Sequence, residues 1–217
     1  MQIMKVLAMA TIVAAHAAPA YSQATRPVDR AVAAWAKVKS MSGTFEQTVT
    51  NPLMRSSAVA KGTFAQQRPN KLAVRFTDPS GDAIIADGSH LWIYLQQAAP
   101  GQVMKRRASD EMALPIDAGQ FLDSPATKYE IVSKGAESVG GRPAQMLGLT
   151  PKRGTSAPFT KAIVWIDDAD GLIRQFEVTE SSGLIRRIRL TKVNVNPKLP
   201  ASQFKFNVPK GVKIVER

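Results

Sequence analysis

Lys61–Leu95, KGTFAQQRPNKLAVRFTDPSGDAIIADGSHLWIYL, is the stretch that decides the fold. It reads as four short β segments joined by turns. Leu72, Val74 and Phe76 fall on one face of one segment, and Lys71, Ala73, Arg75 and Thr77 on the other, the period of two that marks a strand. Two turns set a glycine beside polar neighbours, Pro79-Ser80-Gly81-Asp82 and Asp87-Gly88-Ser89-His90. Arg68-Pro69-Asn70 breaks the pattern ahead of the alternating segment, because proline has no backbone N–H to give to a ladder.

Upstream, residues 26–41 (RPVDRAVAAWAKVKSM) predict an amphipathic helix. Val28, Ala31 or Val32, Trp35 and Val38 recur every three to four residues, Thr25 can cap the start and Pro27 suits the first turn. Trp35 on that stripe reads as core. From Ser42 the period changes to two. Gly43–Val49 is a strand with Phe45 and Gln47 on one face. Ala58–Gln67 is the next, with a bulge expected at Gly62. Gln102–Arg107 is a further short strand with a basic end.

Residues 108–126 interrupt the β pattern. Ser109 followed by Asp110 and Glu111 is a helix start, and Pro115–Asp123 a second short helical piece that Gly119 weakens. This insert is either a lid or a core-filling element. Downstream, Tyr129–Ser133, Ala144–Thr150, Lys161–Asp167, Leu172–Thr179 and Gly183–Val193 are successive strands. Phe204–Phe206 and Val212–Val215 close the domain. The total is about ten or eleven strands in one antiparallel run, too many to stay flat and open.

Residues 1–24 are excluded from this domain. One lysine, the apolar run Val6–Ala15 and small residues to Ala24 describe a cleavable secretory signal peptide, with cleavage after Ala20, Ser22 or Ala24. The run is short for a bilayer span. Residues 25–217 then form a single domain. The formal charge of +12 becomes +11 without the leader. Such a balance raises the question of nucleic acid, but an exported chain meets anionic lipid headgroups or acidic proteins instead. A basic surface that is merely solvated is the plainer reading. The chain has no cysteine, so it carries no lipid-attachment cysteine, disulfide or thiolate site.

Enzyme chemistry finds little support. The mature chain keeps one histidine, His90, in a turn and without a placed partner. Asp167-Asp168-Ala169-Asp170-Gly171 has the wrong spacing for a calcium loop and reads as a hairpin turn. No catalytic residue, metal site or cofactor is expected. Lys105-Arg106-Arg107 and Arg186-Arg187-Ile188-Arg189 read as solvated strand faces rather than anion sites.

The ordered set of motifs now matters. M-S-G-T-F-E-Q follows the helix. Then come G-x-F, R-P-N, the alternating strand, D-P and I-I-A-D-G-x-x-L-W-I-Y. V-W-I-D-x-x-x-G-L-I-R-Q-F-E and a closing F-x-F-x-x-P-x-G-V follow. In this order the chain resembles the periplasmic outer-membrane lipoprotein carrier family, LolA. The resemblance implies a mainly β (α+β) fold: an unclosed, strongly curved antiparallel β-barrel of about 11 strands with a helical lid over an apolar cavity. It implies a periplasmic monomer that takes lipoprotein acyl chains from an inner-membrane lipoprotein-releasing ABC transporter. It delivers them to an outer-membrane lipoprotein receptor or the outer membrane itself, with no nucleic acid involved. Acyl transfer out of a membrane costs about 0.8 kcal/mol per CH₂, so the cavity must be apolar. On this reading Phe64, Leu72, Val74, Phe76, Ile84, Trp92 and Tyr94 line its sheet side. Met112, Ile116, Phe121 and Leu122 line its lid. Arg68, by its place in R-P-N, is the latch that bonds backbone carbonyls of the lid. Leu72 and Val74 stand where family members often carry aromatics, so the lining differs in detail. The alternative with the same fold is a periplasmic module that senses lipid or lipoprotein. A hydrolase acting on an envelope polymer is a third reading.

Overall fold

The computed structural model describes residues 21–107 and 117–216. Most of the predicted signal peptide, and the lid residues Met112 and Ile116, lie outside the described residues. Helix α1 spans Tyr21–Ala36, not 26–41. Its end has a local cause. Val38 closes a tight last turn onto the Trp35 carbonyl, and the backbone N–H groups of Lys39 and Ser40 both turn to Asn196 Oδ1. Ser40 is therefore already strand. The predicted stripe is nonetheless the buried one, with Val28, Ala31 and Val38 in the core and Val32 and Trp35 packed on it.

One sheet of twelve strands follows. In chain order these are β1 Ser40–Asn51, β2 Ser56–Gln67, β3 Lys71–Asp78, β4 Ser80–Asp87, β5 His90–Tyr94, β6 Gln102–Arg107, β7 Tyr129–Val139, β8 Arg142–Pro151, β9 Lys161–Asp167, β10 Ile173–Thr179, β11 Ile185–Val195 and β12 Lys213–Glu216. Their spatial order is β12-β6-β5-β4-β3-β2-β1-β11-β10-β9-β8-β7. The two edges, β12 and β7, do not pair, so the barrel stays unclosed. The run is not wholly antiparallel: β12 lies parallel to β6, Ile214 opposite Val103. Phe204–Phe206 is not a strand. Ala201–Phe204 is a 3-10 turn.

The two faces carry separate cores. The concave face carries the main cluster, including Phe45, Phe64, Leu72, Val74, Phe176 and Ile188. Helix α1 lies across this face against β7 and β9. The convex face of β2–β5 is not left to solvent. Ala73 and Ile85 are buried under Phe204, with Phe206 and Trp92 beside them. Arg75 holds that cover down, donating to the Gln203 and Lys205 carbonyls at 3.3 and 3.1 Å. The bulge at Gly62 is real, with a register shift between Lys61 and Gly62. A methyl group there would collide with the Phe45 ring and the Arg75 carbonyl, so the glycine makes room for an aromatic on the opposite strand.

The acidic stretch 167–171 is the β9–β10 turn. Asp167 is wholly buried and accepts from Arg142, from Arg174 at 3.2 Å and from the Ala169 N–H at 2.8 Å. Burial pushes its carboxyl up, but these donors outweigh that and hold it below the usual carboxylate range. Arg30 reaches from α1 to Asp168 at 3.1 Å and ties the helix to this turn.

Candidate functional site

Strands β1–β4, β10 and β11 curve around a cavity of about 540 Å³, within the roughly 300–1,000 Å³ range of small-molecule pockets. Val74, Phe76 and Ile84 line it as the alternation of β3 and β4 requires, and Phe176 and Val178 face them from β10. Phe64 and Leu72 share the concave face but are packed into the main core. Phe121 also lies in the core, its ring 5.2 Å from Phe176 and 5.6 Å from Phe159.

Trp92 and Tyr94 are not cavity residues. Pairing sets Ile84 opposite Ile93 and Ile85 opposite Trp92, so residues 90, 92 and 94 point to the convex side. There Trp92 stacks on Phe206 at 5.7 Å, and Tyr94 lies 5.8 Å from the same ring. The anchor is Asp87. One carboxylate oxygen accepts the Ser89 and His90 N–H groups, the other the Trp92 indole N–H at 2.9 Å. Burial raises the Asp87 carboxyl, and the indole and backbone donors more than reverse that. In this strand the inward residues are Leu91 and Ile93. An aromatic-rich strand gives no sign of its phase, which pairing alone decides.

A second recess, of about 950 Å³, lies between α1 and the stretch after the insert. Trp35, Arg68 and Leu122 line it. Gln120, Pro158 and Phe159 line both recesses, so they form the partition between them. Gln120 belongs to a 3-10 turn, Ala118–Phe121, capped by the Asp117 carboxylate and followed by the short helix α2, Pro125–Lys128. Gly119 of this turn lies against α1. A methyl group on Gly119 would enter the Trp35 indole. Gly119 thus permits the closest approach of lid and helix.

Arg68 bonds backbone carbonyls, but those of a different element. Its guanidinium donates to the Trp35 and Val38 carbonyls at 3.0 and 3.3 Å and lies 5.6 Å from the Trp35 ring centroid. Among the described residues its partner is the C-terminus of α1, not the 108–126 insert. The reason is electrostatic. A helix end exposes unpaired carbonyls with partial negative charge, and an arginine fork satisfies several. Asn196 completes the cap by donating to the Lys37 carbonyl at 3.1 Å. It sits in the left-handed region at φ 55°, which asparagine tolerates.

A curved, unclosed sheet around an apolar cavity, with a helix strapped across its open side, defines a lidded half-barrel built to enclose apolar ligands. Comparison places the chain within that class. It belongs to the outer membrane lipoprotein carrier protein LolA family, whose model matches residues 36–207. An outer-membrane lipoprotein carrier protein from Bordetella avium is 30% identical over 199 residues, 92% of this chain and 91% of its own. One from Chromobacterium violaceum is 30% identical over 211 residues, covering 96% and 95%. Among solved structures, an uncharacterized conserved protein from Thermus thermophilus shares the fold at 15% identity and TM-score 0.53, over 89% of this chain and 98% of that one. MucB, in the Pseudomonas aeruginosa MucA/MucB complex, does so at 16% and 0.51, over 89% and 63%.

Proposed function

We propose that this chain is a periplasmic carrier that moves lipoproteins from the inner to the outer membrane with their acyl chains in the half-barrel. The observation that carries the reading is the pair of recesses under α1, parted by Gln120, Pro158 and Phe159. The closed cavity is the size of a pocket for one small ligand. Lipoprotein acyl chains need more, and moving the partition joins the two spaces. Val74, Phe76 and Ile84 form the sheet wall, with Phe159, Phe176 and Val178 opposite. Family membership favours a carrier over a sensor, since the likeness to MucB concerns the fold alone. It also gives no reason to assign catalysis. Cargo arrives from an inner-membrane ABC transporter and leaves to an outer-membrane receptor or to that membrane.

Arg68 sets the balance between loading and release. Its bonds hold the C-terminus of α1 against the sheet, and opening the cavity to cargo breaks them, so removing them favours the open form. By linkage the loaded form gains population. Arg68→Leu is expected to co-purify with lipoprotein from periplasm and to hand it on less completely than the parent protein. Recovery of both proteins free of lipoprotein, with no transfer between membranes in either case, sinks the carrier reading.

A further inference from the structure

The apolar side chains left to solvent are not spread evenly. Among the described residues six large hydrophobic side chains stand exposed, and three of them, Leu53, Met54 and Val59, share the β1–β2 hairpin. Leu53 and Met54 are adjacent at its tip and are the most open of the six, at 89% and 74%. A single exposed leucine is ordinary, but a cluster on one projecting hairpin marks a contact surface.

The register makes the hairpin project. β1 and β2 stay paired as far as Asn51 opposite Ser56, whereas β3 leaves β2 at Lys61 opposite Asp78. Ser56–Ala60 therefore runs on for about 17 Å with no strand on that side, at the usual rise of a strand. The tip itself is built. Asn51 Oδ1 accepts the backbone N–H groups of both Leu53 and Met54, at 3.1 Å each, so the turn satisfies its own donors while its two apolar side chains face solvent. Its charge has one sign. Residues 52–60 carry only Arg55, which is exposed and in no ion pair among the described residues. No acidic residue occurs between Glu46 and Asp78. On the neighbouring strands Glu177 and Glu180 are held by Arg187 and Arg186 at 2.7 and 2.9 Å.

We propose that the β1–β2 hairpin is a membrane-contact element: Leu53 and Met54 enter the interface of an anionic bilayer, and Arg55 meets the lipid phosphates. Three observations favour a bilayer over a protein partner. A narrow convex tip buries far less than the roughly 800 Å² per side of a stable protein complex, whereas in a lipid interface each apolar side chain contributes on its own. Turn N–H groups satisfied from within enter that interface at little cost. One arginine beside two apolar side chains matches a phosphate layer above hydrocarbon. The contact stands without the carrier reading. Joined to that reading, it gives delivery a direction. Ala60 at the root of the hairpin, Pro79 of the β3–β4 turn and Glu180 of the β10–β11 turn all line the main cavity. The membrane then meets the end of the cavity opposite the β2–β3 turn, where Arg68 holds α1.

The test is flotation of the protein recovered from periplasm with vesicles of phosphatidylethanolamine and phosphatidylglycerol, and with vesicles of phosphatidylcholine alone. The parent protein is expected to bind the anionic vesicles more tightly. The double variant Leu53→Ser/Met54→Ser is expected to bind both at least about tenfold more weakly, on the scale of two apolar side chains returned to water. Arg55→Gln is expected to lose about fivefold on the anionic vesicles and nothing on phosphatidylcholine. Val132→Ser, at an exposed apolar position on β7, is expected to bind as the parent does. Met54→Trp is expected to add an emission that lipids brominated in their acyl chains quench. Thermal melting checks that each variant folds. Absence of vesicle binding by the parent protein, undiminished binding by the serine pair, unquenched added emission in Met54→Trp, or photo-crosslinking from position 54 to an envelope protein and not to lipid, overturns the proposal. None of these outcomes touches the carrier reading, which stands or falls on Arg68→Leu and the transfer assay.

Discussion

At the scale of single residues, the fold uses charge to hold turns and helix ends. Asp167 is the clearest case, a buried carboxylate shared by Arg142 and Arg174. Its folded pKa lies below the unfolded one. The stabilisation is therefore complete above the ordinary aspartate value of about 3.9 and is lost as the pH falls through the folded value. Urea midpoints measured from pH 7 to pH 2 are expected to drop below about pH 4. In Asp167→Asn that drop is expected to be shallower. The same variant at pH 7 is expected to lose about 1–3 kcal/mol, the cost of one charged hydrogen-bonding group, because both arginines keep Asp170 as a second anion. Arg68 and Asn196 show the same economy at the C-terminus of α1. Arg68 was legible through its motif. Asn196 was not, because the helix end it caps, at Lys39, lies 157 residues away along the chain.

Elements were legible where periodicity is local, and less so where partners decide. The faces of β1 and β3 and the stripe of α1 follow from side-chain spacing, and the structure keeps them. The phase of β5 does not. HLWIY is apolar or aromatic on either face, so only its pairing with β4 and the Asp87 anchor turn Trp92 outward. β12 was legible as a strand but not as a parallel one, since a short apolar run carries no mark of direction. Gly119 has a second role that propensity does not show. By propensity it weakens a helix. In the fold it is the gap into which the Trp35 indole fits. Gly119→Val is expected to force α1 and the 3-10 turn apart, lowering stability by about 1–3 kcal/mol as overpacking does. A larger apolar opening is expected with it, read as increased binding of an environment-sensitive dye. A variant with parental stability and dye binding would show that this contact does not hold the lid.

At the scale of the whole molecule, an unclosed sheet with one helix across it leaves the main cavity bounded by residues from six strands. That cavity follows from curvature, and curvature was legible only as a count of strands too large to lie flat. The members that close it from the far side, Phe159 and Phe176, went unremarked because one sits in a loop and the other in a strand of ordinary appearance. Filling the space tests its importance directly. Val178→Trp projects an indole into the cavity from β10. It is expected to weaken N-lauroyl ethanolamine binding at least about tenfold, on the scale of the apolar area displaced, while Val59→Trp at an exposed position on β2 leaves it unchanged. The arrangement of the three tryptophans has a last consequence. Trp92 and Trp165 are each tied by their indole N–H to a carboxylate, Asp87 and Glu137, on the convex side. Trp35 alone sits at the seam between helix and partition, pressed on Gly119 and covered by Arg68. The protein therefore carries its own optical gauge: if cargo parts the seam, Trp35 emission is expected to shift on loading while that of Trp92 and Trp165 holds steady.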